Sequence, residues 1–224
     1  MNVINYSKEM EKTIASLGDN VPTLLLHSCC APCSSTCLEI LSEHFKVSVL
    51  YYNPNITDSA EYNKRLAEEK RFIDAVNNLK GFDKSGENNK TFYPISLTEC
   101  TYDPMEFFEA VKGYENCPEG GERCFICYEL RLREAASTTK REGFDYFTTT
   151  LTLSPLKNAA KLNEIGQKVA SEYDVKFLPS DFKKKDGYKR SIQLSKDFEL
   201  YRQNYCGCIF SKNSCSTTCD ITDP

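Results

Sequence analysis

Residues 23–35 read TLLLHSCCAPCSS: an apolar run from Thr23 to His27 that stops at two adjacent cysteines, followed by small residues, a proline and a third cysteine. An apolar run this short, closed by turn-forming residues, reads as a buried strand. Behind it, Ser35 to His44 carries Leu38 and Leu41 on one side and reads as a helix. The unit repeats outward from there. Val47 to Tyr52 forms a second β-rich run closed by Asn53-Pro54-Asn55, and Asp58 to Leu79 is a long helical pattern with Tyr62, Leu66, Ile73 and Val76 on one stripe. A polar loop over 81–90 precedes a third strand, Thr91 to Ser96, and a helix from Pro104 to Lys112. Cys124 to Arg141 is helical, Phe144 to Thr150 a fourth strand, Asn158 to Tyr173 a helix buried through Leu162, Ile165, Val169 and Tyr173, and Val175 to Leu178 a fifth strand.

Strands alternating with helices predict an α/β fold, a parallel sheet of about five strands with flanking helices and right-handed crossovers. A single domain is expected, with an α/β core over about 22–180, a basic helical segment carrying Cys-x-Cys over 181–211, and a polar tail over 212–224. Ligands of such sheets sit beyond the carboxyl ends of the strands. Cys29, Cys30 and Cys33 therefore stand at the expected mouth, beside residues 149–155, TTLTLSP, which follow the fourth strand.

The chain has 224 residues with 12 cysteines, two histidines and no tryptophan. At 40% hydrophobic it can bury a core without disulfide staples. Its N-terminal residues lack the basic start and apolar run of a signal peptide, and no apolar stretch is long enough to span a bilayer, so a cytoplasmic protein is expected. In that reducing setting, clustered cysteines bind metals or react more often than they form bridges. A net charge of -4 argues against coating nucleic acid by bulk charge. Locally, however, residues 176–202 hold more basic than acidic side chains, a surplus that suits phosphate.

Spacing sorts the thiols into groups: C-C-x-x-C at Cys29, Cys30 and Cys33, C-x-x-C at Cys124 and Cys127, and C-x-C at Cys206 and Cys208. Cys124 and Cys127, three apart near a helix start, present both sulfurs on one face, where the helix N-terminus favours thiolates. Adjacent cysteines rarely bridge each other without strain, but both can ligate an iron–sulfur cluster. With His27 and His44 the only histidines, an all-sulfur site is expected; His27 reads as a hydrogen-bonded structural residue and His44 as a helix-end cation. The tight pairs Cys29/Cys30 and Cys124/Cys127 supply four thiolates for a [4Fe-4S] cluster. Cys33, Cys206 and Cys208 are left to hold a second metal, or Cys206 and Cys208 to work as a redox dithiol; a closed zinc site is the competing assignment. Cys37, Cys100, Cys117, Cys215 and Cys219 are expected to be bystanders.

The segments HSCCAPCSS, NPNI, GERCFICYELRL, TTLTLSPLKN and LPSDFKKKDGYKRSIQLSKDFELYRQNYCGCIFS, in that order from about Leu24 to Ser211, resemble the epoxyqueuosine reductase family QueH. The resemblance implies an α/β fold like that of the adenine nucleotide α-hydrolase (HUP-like) group, and reduction of the epoxide of epoxyqueuosine to the alkene of queuosine at the wobble position of tRNA. It implies a [4Fe-4S] cluster on Cys29, Cys30, Cys124 and Cys127 and a neighbouring mononuclear iron, with Cys33, Cys206 and Cys208 as candidates for that second centre. Some family members carry aspartate where this chain has Cys33, an exchange that keeps an anionic iron ligand. Cys206 and Cys208 are also described in the family as a redox-active disulfide.

Epoxide deoxygenation needs two electrons, so an external electron donor is expected, relayed through the cluster. Tyr128, Tyr188, Tyr201 and Tyr205 are candidates for stacking on bases, and Lys189, Arg190 and Arg202 for phosphate contact. Two other functions compete. A cluster-dependent tRNA sulfur transferase on the same fold would need a glycine-rich phosphate loop after the first strand, and CCAPCSS contains no glycine. A zinc-stabilised RNA-binding module without catalysis would carry zinc and no labile sulfide.

Overall fold

A computed structural model describes residues 4–83 and 91–212. Four parallel strands, β1 (Thr23–His27), β2 (Lys46–Tyr51), β3 (Ser96–Glu99) and β4 (Tyr146–Thr149), lie in the order β3-β2-β1-β4. Seven helices accompany them: α1 (Tyr6–Ala15), α2 (Ala31–Leu41), α3 (Ser59–Leu79), α4 (Met105–Ala110), α5 (Glu122–Glu142), α6 (Ala159–Tyr173) and α7 (Gly187–Asp197). The chain leaves β1 toward β2 on one side, while β4 returns to β1 on the other. The crevice between the carboxyl ends of β1 and β4 is thus the point where strand order reverses, the position at which such sheets bind ligands.

Alternation along β1 builds the two layers. Leu24 and Leu26 face a core with Val47, Val49, Leu38, Phe72, Val76 and Leu194, whereas Leu25 faces Phe147, Leu132, Leu162 and Val169. These leucines are fully buried, and each contributes about 1.5–3 kcal/mol by leaving water. Asp58 caps α3 by accepting from the Ala60 and Glu61 amides, and Asn158 caps α6 through the Lys161 amide. In the second layer α6 packs close to the sheet: a Cβ on Gly166 would lie 2.5 Å from the Phe177 ring.

Three boundaries differ from the sequence expectation. The third strand begins at Ser96 because Pro94 has no N–H to donate and the Asn77 side chain takes both backbone groups of Ile95, at 2.8 and 2.9 Å. The fifth strand is reduced to one bridge, Phe147 to Phe177: the Phe147 amide donates to the Lys176 carbonyl and the Leu178 amide to the Phe147 carbonyl, and Pro179 offers no donor to continue. The N-terminal helix α1, capped by Asn5, was not anticipated. Cys215, Cys219 and most of the polar tail lie outside the described residues. Among the described residues, no helix is long and apolar enough to cross a membrane.

Candidate metal centre

β1 ends in His27, whose ring ties three segments together. Nδ1 meets Thr149 Oγ1 at 3.0 Å on β4 and Nε2 meets the Tyr52 carbonyl at 3.0 Å past β2. Burial, and then the nearby Arg131 charge, depress its pKa to about 3, so the ring is neutral and structural. The next residue is pinned as well: the Ser28 amide donates to the Leu50 carbonyl, and the Asn53 amide group donates to the Ser28 carbonyl at 2.8 Å. Directly after this fixed point the chain turns into α2, with Pro32 in its first turn.

That turn gathers the first group of thiols. The sulfurs of Cys29, Cys30 and Cys33 all lie within 4.8 Å of one another, with Cys29 and Cys30 3.8 Å apart. Cys30 Sγ also accepts a hydrogen bond from Gln203 Nε2 at 2.7 Å. Hydrogen bonds from Cys30 and Cys33 draw the Cys29 thiol well below its ordinary range against burial, with Lys157 and Arg131 assisting. The same contacts, joined by burial, push Cys30 and Cys33 up. The three sulfurs form a coupled donor set that can exchange protons for a metal ion.

A second group lies alongside. Cys124 and Cys127 occupy the start of α5, and Cys124 Sγ accepts from the Gly120 amide at 3.2 Å. Cys206 and Cys208 lie on a strap running from Glu199 past the mouth, and all four line one cleft. Burial pushes Cys127 up to about 12, Cys208 up to about 11 and Cys124 upward. Between the two strap cysteines, Gly207 adopts φ +116°, and a Cβ there would lie 2.9 Å from the Ile56 side chain. Only glycine fits that turn. Cys206 and Cys208 are both free thiols.

The two groups adjoin. Cys206, Arg131 and Lys157 line both the cleft and a cavity of about 300 Å³ that reaches Cys29 and Cys33. Arg65, 1% exposed on α3, holds the strap by donating to the Cys206 carbonyl at 3.1 Å and the Tyr205 carbonyl at 3.3 Å, with its Nε on Glu61 at 2.7 Å. One helical turn along, Glu69 is fully buried with neither carboxyl oxygen at hydrogen-bond geometry to a partner. Burial pushes it up to about 8, although the Ser34 and Ser28 hydroxyls oppose the shift.

The candidate substrate residues scatter. Tyr188 is 38% exposed at the rim of the 300 Å³ cavity, which Arg202 and Tyr205 also line. Tyr128 is 3% exposed and packs in the core, while the Tyr201 hydroxyl is 3.2 Å from Glu61 with Lys64 Nζ 3.5 Å from its ring centroid. Lys189 is exposed. Arg190 is engaged by Glu39, at 2.5 and 2.9 Å, and faces a different cavity of about 620 Å³ that has no thiol. Cys37 is buried with its Sγ donating to the Cys33 carbonyl at 3.3 Å, and Cys37, Cys100 and Cys117 line neither cavity.

Sequence reasoning missed Arg65, Glu69, Arg131, Lys157 and Gln203. For Arg65 and Glu69 a signal existed, because both fall on the buried stripe of α3 with Tyr62, Phe72, Ile73 and Val76, where charge is unexpected. Gln203 gave none.

Residues 24–214 match the family model described as Epoxyqueuosine reductase QueH. The epoxyqueuosine reductase QueH of Staphylococcus epidermidis is 41% identical over 213 residues, covering 93% of this chain and 84% of the relative. That of Streptococcus pyogenes is 38% identical over 211 residues, covering 93% and 78%. The Thermotoga maritima protein is 35% identical over 193 residues, covering 84% and 90%.

Proposed function

The chain belongs to the epoxyqueuosine reductase QueH family, and on that footing we propose that it reduces epoxyqueuosine in tRNA to queuosine. Both bonds to the epoxide oxygen break, a carbon–carbon double bond forms, and two electrons and two protons carry the oxygen off as water. The observation that carries this reading is the packing of Cys29, Cys30 and Cys33 within 4.8 Å at the crevice between β1 and β4, next to a cleft lined by four further thiols.

The donor set suits iron: seven sulfurs and no histidine, in two adjoining groups. Cys29, Cys30, Cys124 and Cys127 would hold a [4Fe-4S] cluster, with Cys33, Cys206 and Cys208 holding a second iron or, for Cys206 and Cys208, cycling as a dithiol. Bound there, such a group supplies electrons one at a time from an external donor and a Lewis-acid contact for oxygen. The protein does the rest. Tyr188 and Tyr205 offer stacking faces at the cavity rim, and Arg202 offers a cation to a phosphate. Arg65 holds the strap that carries Cys206 beside the other thiols.

Anaerobic reconstitution with iron and sulfide, followed by metal and sulfide analysis and single-turnover reduction of epoxyqueuosine-containing tRNA, tests this reading. Iron with labile sulfide and formation of queuosine are expected. Zinc without sulfide, and no turnover, would favour an RNA-binding module instead.

A further inference from the structure

Arg131 is 1% exposed, yet among the described residues only its Nε has a hydrogen-bond partner, the Cys127 carbonyl at 3.1 Å, while the guanidinium carbon lies 6.0 Å from the Tyr128 ring centroid. Both terminal nitrogens are buried and without a hydrogen-bond partner. Arg131 lines both the cleft of the four thiols and the cavity reaching Cys29 and Cys33. Lys157, in the loop before α6, lines both spaces too, and no hydrogen bond or ion pair engages its ammonium among the described residues.

Two cations lining the same two spaces, Arg131 buried and Lys157 half-buried, call for an anion, since an unpaired buried charge is strongly unfavourable. Among the described residues the only carboxylate lining either space is Glu119, and it accepts from the Ser211 hydroxyl at 3.2 Å and pairs with neither cation. What remains is sulfur. Cys29, Cys33 and Cys206 are the thiols whose charge acts most on Lys157, outweighing the burial that works against its ammonium and raising it above the ordinary lysine range. Binding of iron strips protons from such thiols and leaves a sulfur-bound assembly of net negative charge.

We propose that Arg131 and Lys157 form a cation bridge between the two thiol groups, which compensates the negative charge of the iron–sulfur assembly held there and sets its reduction potential. The bridge rests on the iron reading above. Arg131 and Lys157 are positioning residues: they act through the sulfurs and do not touch the substrate. Adding an electron raises the negative charge next to them, so the reduced state gains more from the cations than the oxidised state does. Arg131 is the fixed member, clamped at Nε by the carbonyl of Cys127, and its free N–H groups are donors for sulfur.

The test uses the full chain loaded anaerobically with iron and sulfide, titrated with a reductant while visible absorption and electron paramagnetic resonance report the reduced fraction. Lys157→Met is expected to keep wild-type iron and sulfide content and to disfavour one-electron reduction tenfold or more, a midpoint about 59 mV more negative. Lys157→Arg, which restores the charge, returns the midpoint to the wild-type value. Arg131→Gln shifts it in the same direction as Lys157→Met, and Arg131→Lys does not. A loaded Lys157→Met variant with the wild-type midpoint overturns the bridge and leaves the iron reading intact. A wild-type chain that takes up neither iron nor sulfide overturns both.

Discussion

Gln203 donates from Nε2 to the sulfur of Cys30 across 2.7 Å, although 173 residues separate them in sequence. The contact joins the C-terminal strap to the turn after β1, and it places an amide donor on one sulfur of the triad. Once a metal takes the place of the Cys30 proton the acceptor is a thiolate, to which a donor is worth about 1.5–3 kcal/mol, roughly twice a neutral hydrogen bond. Gln203→Leu is therefore expected to lower kcat/KM for tRNA reduction by about tenfold to a hundredfold at similar iron content. Single-turnover assays on the reconstituted variant check this, and wild-type kcat/KM would show that the amide has no bearing on reaction at Cys30.

Arg65 binds two strap carbonyls and Glu61 from a position fully inside the fold. Replacing it by methionine strands the partly buried Glu61 carboxylate and two carbonyls, a loss of about 3–5 kcal/mol for a broken buried pair. Urea unfolding of the metal-free chain measures it. Alkylation of Cys206 under native conditions is expected to accelerate in the same variant, because the strap lifts first.

Glu69 predicts a pH signature. Its folded-state pKa, about 8, lies above the ordinary 4.5, so the folded protein holds a proton that the unfolded chain releases. The protein accordingly has its full stability from this group below pH 4.5 and loses it as pH rises to about 8. Glu69→Gln removes the dependence: it is expected to gain stability over wild type progressively across that window, on the order of 3 kcal/mol by pH 7. Urea midpoints of both metal-free proteins at pH 5 and pH 8 decide it; a constant difference would place the carboxyl in contact with water.

Metal content should divide the cysteines sharply. After reconstitution, Cys30→Ala and Cys124→Ala are expected to lose most iron, sulfide and visible absorption, whereas Cys100→Ala and Cys117→Ala retain them, since neither belongs to the trio of Cys29, Cys30 and Cys33 nor lines the cleft of the other four thiols. Equal iron and sulfide in Cys124→Ala and wild type would remove Cys124 from the ligand set. Cys30→Ala is also expected to lose tRNA reduction and Cys215→Ala to keep it.

Local chemistry made the sheet and its mouth legible in the sequence. The run Thr23 to His27 followed by paired cysteines is a strand feeding a ligand loop, and period-two burial of Leu24, Leu25 and Leu26 follows from it. Where a side chain replaces a backbone partner, periodicity is blind: Asn77 occupies Ile95 and shifts the start of β3. The three cysteine motifs pointed to a sulfur site, but the bridge between them did not show. Arg131 and Lys157 sit in sequences that resemble any solvated helix or loop, and only the fold reveals that both enter the thiol cavities. Arg190 shows the converse: a basic stretch suggested phosphate, but a carboxylate on α2 claims that guanidinium.

The strap fastened by Arg65 and Gln203 gives assembly an order in time. A ribosome makes the Cys29–Cys33 turn early and the residues that cover it last, with Gln203 coming 173 residues after Cys30. Throughout that interval the three sulfurs stand uncovered on the nascent chain, open to oxidants and stray metal ions, and Cys206 and Cys208 do not yet exist. A metal held by both thiol groups would consequently be loaded late, with the strap as the last part to dock.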